Sequence, residues 1–163
     1  MGQIVYALIE HSLTPEEILA FPKKLETCQN STIAGRWAWS DPNLNVDSLF
    51  KFWTTKQIDL SSTYSWGPED FPWLEKENFT LYFFEPNLIV FDCLFKWLFF
   101  SKNETRIREF SALTREIGSL VNATDLLFVP ELTDNFINAH DNLTVDLFRQ
   151  DAKKRYEAAI EVR

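Results

Sequence analysis

The stretch FTLYFFEPNLIVFDCLFKWLFF, Phe79 to Phe100, is the most apolar part of the chain, and its reading decides the fold. It is long enough to be weighed as a membrane span, since a bilayer-crossing helix needs about 20 predominantly apolar residues. Glu85, Pro86, Asn87, Asp92 and Lys96 interrupt it. Asp and Lys each cost about 2.5–3.5 kcal/mol at the centre of a membrane helix, so a span is a poor reading. A hairpin accounts for the pattern better. Glu85-Pro86-Asn87 is turn chemistry. After it, Ile89, Phe91, Cys93, Phe95, Trp97 and Phe99 share one face at period two, without a polar break. The other face carries Val90, Asp92, Leu94, Lys96, Leu98 and Phe100, a mixed set that predicts only partial cover. The rival is a helix in which Asp92 and Lys96 pair at i, i+4. Aromatic enrichment and the break at Pro86 favour the strand.

Working outward, Gln3–Glu10 reads as a central strand, and Thr14-Pro15-Glu16-Glu17 as a capping box with a proline start. Pro22 then kinks or ends the helix. Ser31–Ser40 reads as a second strand, with Ile33, Gly35, Trp37 and Trp39 on one face. Val46, Leu49, Phe50 and Trp53 make a helical stripe. Residues 59–78, which hold Gly67, Pro68 and Pro72, read as a long loop, a kind of segment that is often functional. Ile107, Phe110, Leu113, Ile117, Leu120 and Val121 make a second stripe, capped by Ser101 or Asn103. Residues 124–131 read as a buried strand ended by Pro130, and residues 142–162 as a last amphipathic helix. The expected order is β-α-β-α, a long loop, then β-β-α-β-α. This predicts an α+β protein: a mixed or mostly antiparallel sheet with helices packed on it, in a single domain over residues 1–163.

A chain of 163 residues can bury a real core, and its aromatic content is high, with 15 Phe, 6 Trp and 4 Tyr. Only 4 glycines are present, and neither GxGxxG nor GxxxxGK[ST] occurs. The net charge of −8 argues against binding nucleic acid and favours a basic protein partner. Cys28 and Cys93 form no zinc spacing, and two thiols in a chain of this length point to a reducing cytosol. Residues 1–12 lack the features of a signal peptide, and Tyr6 breaks the myristoylation pattern. The Asn-x-Ser/Thr triplets at Asn30, Asn78, Asn103, Asn122 and Asn142 are therefore read as turn and cap chemistry. The expected location is cytoplasmic, with no membrane and no cofactor.

Catalytic motifs are sparse. His11 and His140, with Glu10, could supply a base in a small hydrolase or ligand-binding enzyme whose pocket is lined by Trp37, Trp39, Trp66 and Trp73. HExxH and GxSxG are both absent, and a metal site built from these histidines has no supporting spacing. Glu10, Glu85 and Asp92 could form an acid–base pair on a sheet face, as in glycoside hydrolysis. The charge pattern says more. Between Glu116 and Phe148 there is no Lys or Arg, and Asp134 and Asp141 stand in that window. A second cluster interleaves Asp70 and Glu75 with Tyr64, Trp66, Phe71 and Trp73. Acids around aromatic anchors suit a surface that binds a basic protein, in the manner of an inhibitor or immunity protein. The bland alternative folds those aromatics back over the core. A third reading is a homo-oligomer formed through exposed aromatic strand faces.

Overall fold

The computed structural model describes residues 3–26, 39, 41–55, 61–65, 78–156 and 159–163. Its centre is the predicted hairpin: β3 (Asn78–Glu85) turns through Pro86 and Asn87 into β4 (Leu88–Lys96). The first strand, β1 (Ile4–Glu10), lies between β4 and β5 (Asp125–Val129), antiparallel to both. With β2 (Ser61–Ser65) and β6 (Ile160–Glu161) the sheet order is β2-β3-β4-β1-β5-β6. All five of these pairings are antiparallel, so the mixed option falls away among the described residues. No helix of the described residues is long and apolar enough to cross a membrane.

The helices flank the sheet. On the odd-numbered face, Val5, Ala7, Ile9, Leu81, Phe83, Ile89 and Phe91 form one buried cluster with apolar residues of α1 (Pro15–Leu19), α2 (Phe21–Glu26), α3 (Val46–Thr55), α4 (Trp97–Ser101) and α5 (Glu104–Leu120). On the opposite face, even-numbered in β1, β3 and β4, Leu8, Phe84, Leu88 and Val90, with Leu127 and Val129 of β5, meet α6 (Asp134–Asn138) and α7 (Val145–Tyr156). The fold is α+β with cover on both faces of the sheet. That explains why β4 is apolar on both sides, where a one-sided sheet would alternate strictly.

Local signals hold at several ends. Thr14 Oγ1 accepts from the Glu17 N–H, and Glu17 reaches back to the Thr14 N–H at 2.8 Å. The first helix ends at Leu19, one turn short of Pro22, which sits in the first turn of α2, where its missing N–H costs little. Asn103 caps α5 by accepting from Arg106 N at 3.1 Å. At the other end of α5, Asn122 takes φ 51°, and Ala123 N donates to Gly118 O at 2.9 Å. Asn tolerates this left-handed geometry, so two of the Asn-x-Thr triplets do serve as caps.

Other expectations are corrected. The alternating pattern of β4 stops at Lys96, and Trp97 begins α4. Trp97 and Phe100, spaced i, i+3, are buried, while Leu98 and Phe99 are about 60% exposed. Trp97 N donates to Gln3 O at 2.8 Å, tying this turn to the start of β1. In α3, Phe52 replaces Phe50 in the buried stripe, and Phe50 turns outward. Phe50 and Phe99, both exposed, sit on the helices α3 and α4. The loop predicted over 59–78 contains β2, paired to β3. Between the strand ended by Pro130 and the last helix stands a further short helix, α6, and the last helix ends at Tyr156, so that Ile160 and Glu161 can pair with β5. The strand predicted over Ser31–Ser40 lies outside the described residues except for Trp39, which forms an isolated bridge.

Candidate binding cleft

Antiparallel register sets the even face in rows. Tyr6 stands opposite Asp92 and Val129. Leu8 stands opposite Val90 and Leu127, and Val90 opposite Tyr82. Directly opposed residues share a face, with Cβ atoms about 4.5–5.5 Å apart. The cover over these rows is unequal. Residues Val145, Phe148 and Ala152 of α7 join the buried cluster with Leu8, Leu88 and Leu127, whereas α6 is only five residues long. At about 1.5 Å per residue such a helix reaches some 7 Å, too short to roof the remaining rows.

The space left is a cleft of about 210 Å³. Its floor is Tyr6, Tyr82, Val90 and Asp92, and its walls are Phe84, Leu132 and Ile137. Asp92 is the one charged group among these described lining residues. Sequence alone reads Asp92 as the mark of a partly covered face and as one of three carboxylates for an acid–base pair. What it lacked was the register that sets Tyr6 and Tyr82 beside it.

The predicted catalytic residues do not gather. Glu10 Oε1 accepts from Val145 N at 2.9 Å, and Oε2 accepts from Thr124 Oγ1 at 3.3 Å. Glu10 therefore binds the first turn of α7, where a helix N-terminus favours a carboxylate. Its residue lies four positions along β1 from Tyr6, about 13 Å at strand spacing. That separation, on top of the capping role, removes Glu10 and Asp92 as a glycosidase-like pair, whose carboxyls sit about 5–9.5 Å apart. Replacing Glu10 with alanine is expected to cost about 0.5–2 kcal/mol and to raise amide exchange in the first turn of α7. Glu10→Gln, which keeps the acceptor, should lose less. Equal thermal midpoints for wild type and Glu10→Ala would show that the cap contributes nothing.

His11 is 3% exposed and packs edge-on against Phe83 at 5.8 Å, on the α1–α5 side. Its Nδ1 accepts from Leu13 N at 3.1 Å, which puts the proton on Nε2 in the neutral ring. Nε2 has no hydrogen-bond partner among the described residues. Burial lowers the pKa of His11 from 6.5 to about 4, so it is a neutral core residue near pH 7. His140 lies on the other side of the sheet, its ring 4.5 Å from Phe136 and its Nδ1 2.8 Å from Phe136 O. The two histidines thus stand on opposite faces, and no His–Glu–His constellation forms.

Trp39 is part of the core: its Nε1 donates to Leu19 O at 3.1 Å and its ring tilts against Phe83. Trp37, Trp66 and Trp73 lie outside the described residues, as do Asp70, Phe71 and Glu75. Tyr64 falls within β2, Asp134 opens α6, and Asp141 is exposed just after it. Among the described residues, no group of three or more His, Cys, Asp or Glu is placed to hold a metal ion.

One ion-pair cluster went unnoticed in the sequence. Arg149 of α7 meets Asp125 at 2.8 Å, Asp146 at 3.0 Å and Glu161 at 2.6 Å. Hydrogen bonds to Asp125, then Glu161, raise the pKa of its guanidinium. The same arginine pulls Asp146 below the ordinary carboxylate range. The cluster fastens α7 to β5 and β6 and so fixes one side of the layer that borders the cleft. No known protein family, curated protein or solved structure matches the chain.

Proposed function

We propose that the chain is an acidic, cytosolic interaction module that binds a basic protein, in the manner of an inhibitor or immunity protein. The observation that supports this is where the stretch without Lys or Arg falls. Residues 116–148 supply the end of α5, β5, α6 and the start of α7, and beyond β5 they lie over the even face of the sheet. Glu131 and Asp141 are exposed there, and Asp134 begins α6. Asp146 is engaged by Arg149 and Gln150, so the steering charge is concentrated around α6. Acids placed there raise the encounter rate with a basic partner and discriminate against acidic ones, with Arg155 of α7 also reaching in to Thr133 and Phe136.

The test is capture from the native host, followed by association kinetics with the captured protein. A partner of net positive charge, released by salt, is the expected result. Asp134→Lys with Asp141→Lys should slow association roughly tenfold or more at low salt and flatten its salt dependence. Association that ignores both substitutions would sink the reading. The hydrolase alternative takes His11 or His140 as base; His11 is buried in the core with its pKa lowered to about 4, and the His140 ring packs on Phe136.

A further inference from the structure

We infer that α4 is a membrane-docking turn: Leu98 and Phe99 enter the surface layer of an anionic bilayer, and Lys96 and Lys102 bind its phosphates. This goes beyond the proposed function and is independent of the basic partner. Leu98 and Phe99 are 59% and 60% exposed, and with Ile4 they make three of the four exposed large hydrophobics among the described residues. They lie together. Leu98 and Phe99 are neighbours in α4, and Ile4 is paired with Lys96, directly before that helix. Single apolar residues on a surface are ordinary, but gathered ones mark a contact site. Their exposure is built into the fold. Trp97 and Phe100, on the other side of the same turn, are buried, and the Phe100 ring meets Phe128 at 5.1 Å and Phe110 at 6.4 Å. Trp97 N is tied to Gln3 O, and Asn103 N donates to Phe100 O at 3.0 Å. Rolling the turn to hide Leu98 and Phe99 would carry Trp97 and Phe100 into water.

Charge says what covers the pair. The chain carries −8 overall, yet from Lys96 to Arg108 stand Lys96, Lys102, Arg106 and Arg108 against one acid, Glu104. Arg163 holds that acid at 2.5 Å. Lys102 follows Leu98 by four residues and Phe99 by three, the spacings that share a helix face, and Lys96 precedes Phe99 by three. Both lysines are exposed. The acids Glu131 and Asp141 flank α6, which packs on the opposite face of the sheet from the cluster that α4 joins. Lysines beside exposed apolar residues suit the interface of an anionic membrane, where ammonium groups reach phosphate while apolar side chains enter the acyl boundary. A second protein is a poorer fit. A stable interface takes about 800 Å² and roughly 20–30 residues per partner, and its core is poor in lysine. A five-residue turn cannot supply that area. With only Leu98 and Phe99 to insert, the contact is shallow and reversible.

The test is flotation of the full chain with two kinds of vesicle: phosphatidylcholine alone, and an equal mixture of phosphatidylcholine and phosphatidylglycerol. Recovery with the anionic vesicles only, falling as salt is raised, is the expected result. Leu98→Ser with Phe99→Ser, and separately Lys96→Glu with Lys102→Glu, should each weaken partitioning at least about tenfold. All four residues are exposed, so both variants should melt as the wild type does. Should the serine pair unfold, the charge-reversed pair carries the test. No recovery with the anionic vesicles, equal recovery with the neutral ones, or partitioning unchanged in the folded variants overturns the inference. Self-association in sedimentation velocity that Leu98→Ser with Phe99→Ser abolishes also overturns it, because the turn would then belong to a contact with a second copy.

Discussion

Phe110→Ala is expected to remove about 3–5 kcal/mol of stability, the range for truncating a fully buried phenylalanine. Phe110 is 0% exposed and stands where α5 meets the sheet. Its ring stacks on Phe91 at 5.4 Å and meets Phe128 at 5.9 Å and Phe100 at 6.4 Å. One truncation thus strips contacts from β4, β5 and α4 at once. Interiors are packed to crystal-like density, and rings held by strands cannot collapse into the void. Domains are stable by about 5–15 kcal/mol in total, so the loss is about a fifth or more of what holds the chain folded. Urea unfolding reads it directly as a fall in midpoint at constant slope. Phe110→Leu, which keeps more of the volume, should fall between wild type and alanine. A loss below about 1 kcal/mol for Phe110→Ala would mean that α5 does not seal this core.

Acidification is expected to destabilise the protein through His11. In the folded chain the ring stays neutral down to about pH 4, whereas an unfolded histidine takes its proton near pH 6.5. Between those values the unfolded state binds more protons, so stability falls as the pH drops. Above pH 6.5 the group contributes no slope, and below about pH 4 both states are protonated and the loss is complete. The full span is on the order of 3 kcal/mol, from 1.36 kcal/mol per pKa unit. Carboxylates titrate in part of the same window, so the measurement is a difference. His11→Asn retains an acceptor for the Leu13 N–H, as an Asx turn does, but cannot be protonated. The gap between the two stability curves should shift in favour of the variant by that amount from pH 6.5 to pH 4. Parallel curves would show that His11 is not the acid-sensitive group.

The sequence made the fold legible where a feature was local and repeated. The hairpin, the capping box at Thr14 and the stripe of α5 each rest on residues close in the chain, and each is present. The misses share a cause: tertiary partners chose between patterns that the chain allows equally. Trp97 to Phe100 could have continued the alternation, but burying Trp97 and Phe100 as an i, i+3 pair against the α5 side wins. Ala159 fits the helical pattern of α7, yet β5 has a free edge that Ile160 and Glu161 take. Five-residue α6 is too short for any period to show. The cleft was hidden for another reason. Tyr6, Tyr82 and Asp92 lie on three strands, and only the register brings them together. Asp92 carried a signal, a charge on an otherwise apolar strand; the tyrosines carried none.

The place of β1 has a consequence for synthesis. Ile4–Glu10 leaves the ribosome well before both of its neighbours, Leu88–Lys96 and Asp125–Val129. At about 5–20 residues per second, the wait before β4 has been made is on the order of ten seconds. Throughout that wait an apolar strand with two unpaired edges is available to any other chain. Long-range pairing of this kind is slow and exposed to aggregation. Yield of native protein should therefore depend on keeping Ile4–Glu10 from pairing with other chains until the hairpin arrives, and slower elongation, by prolonging the wait, should lower it.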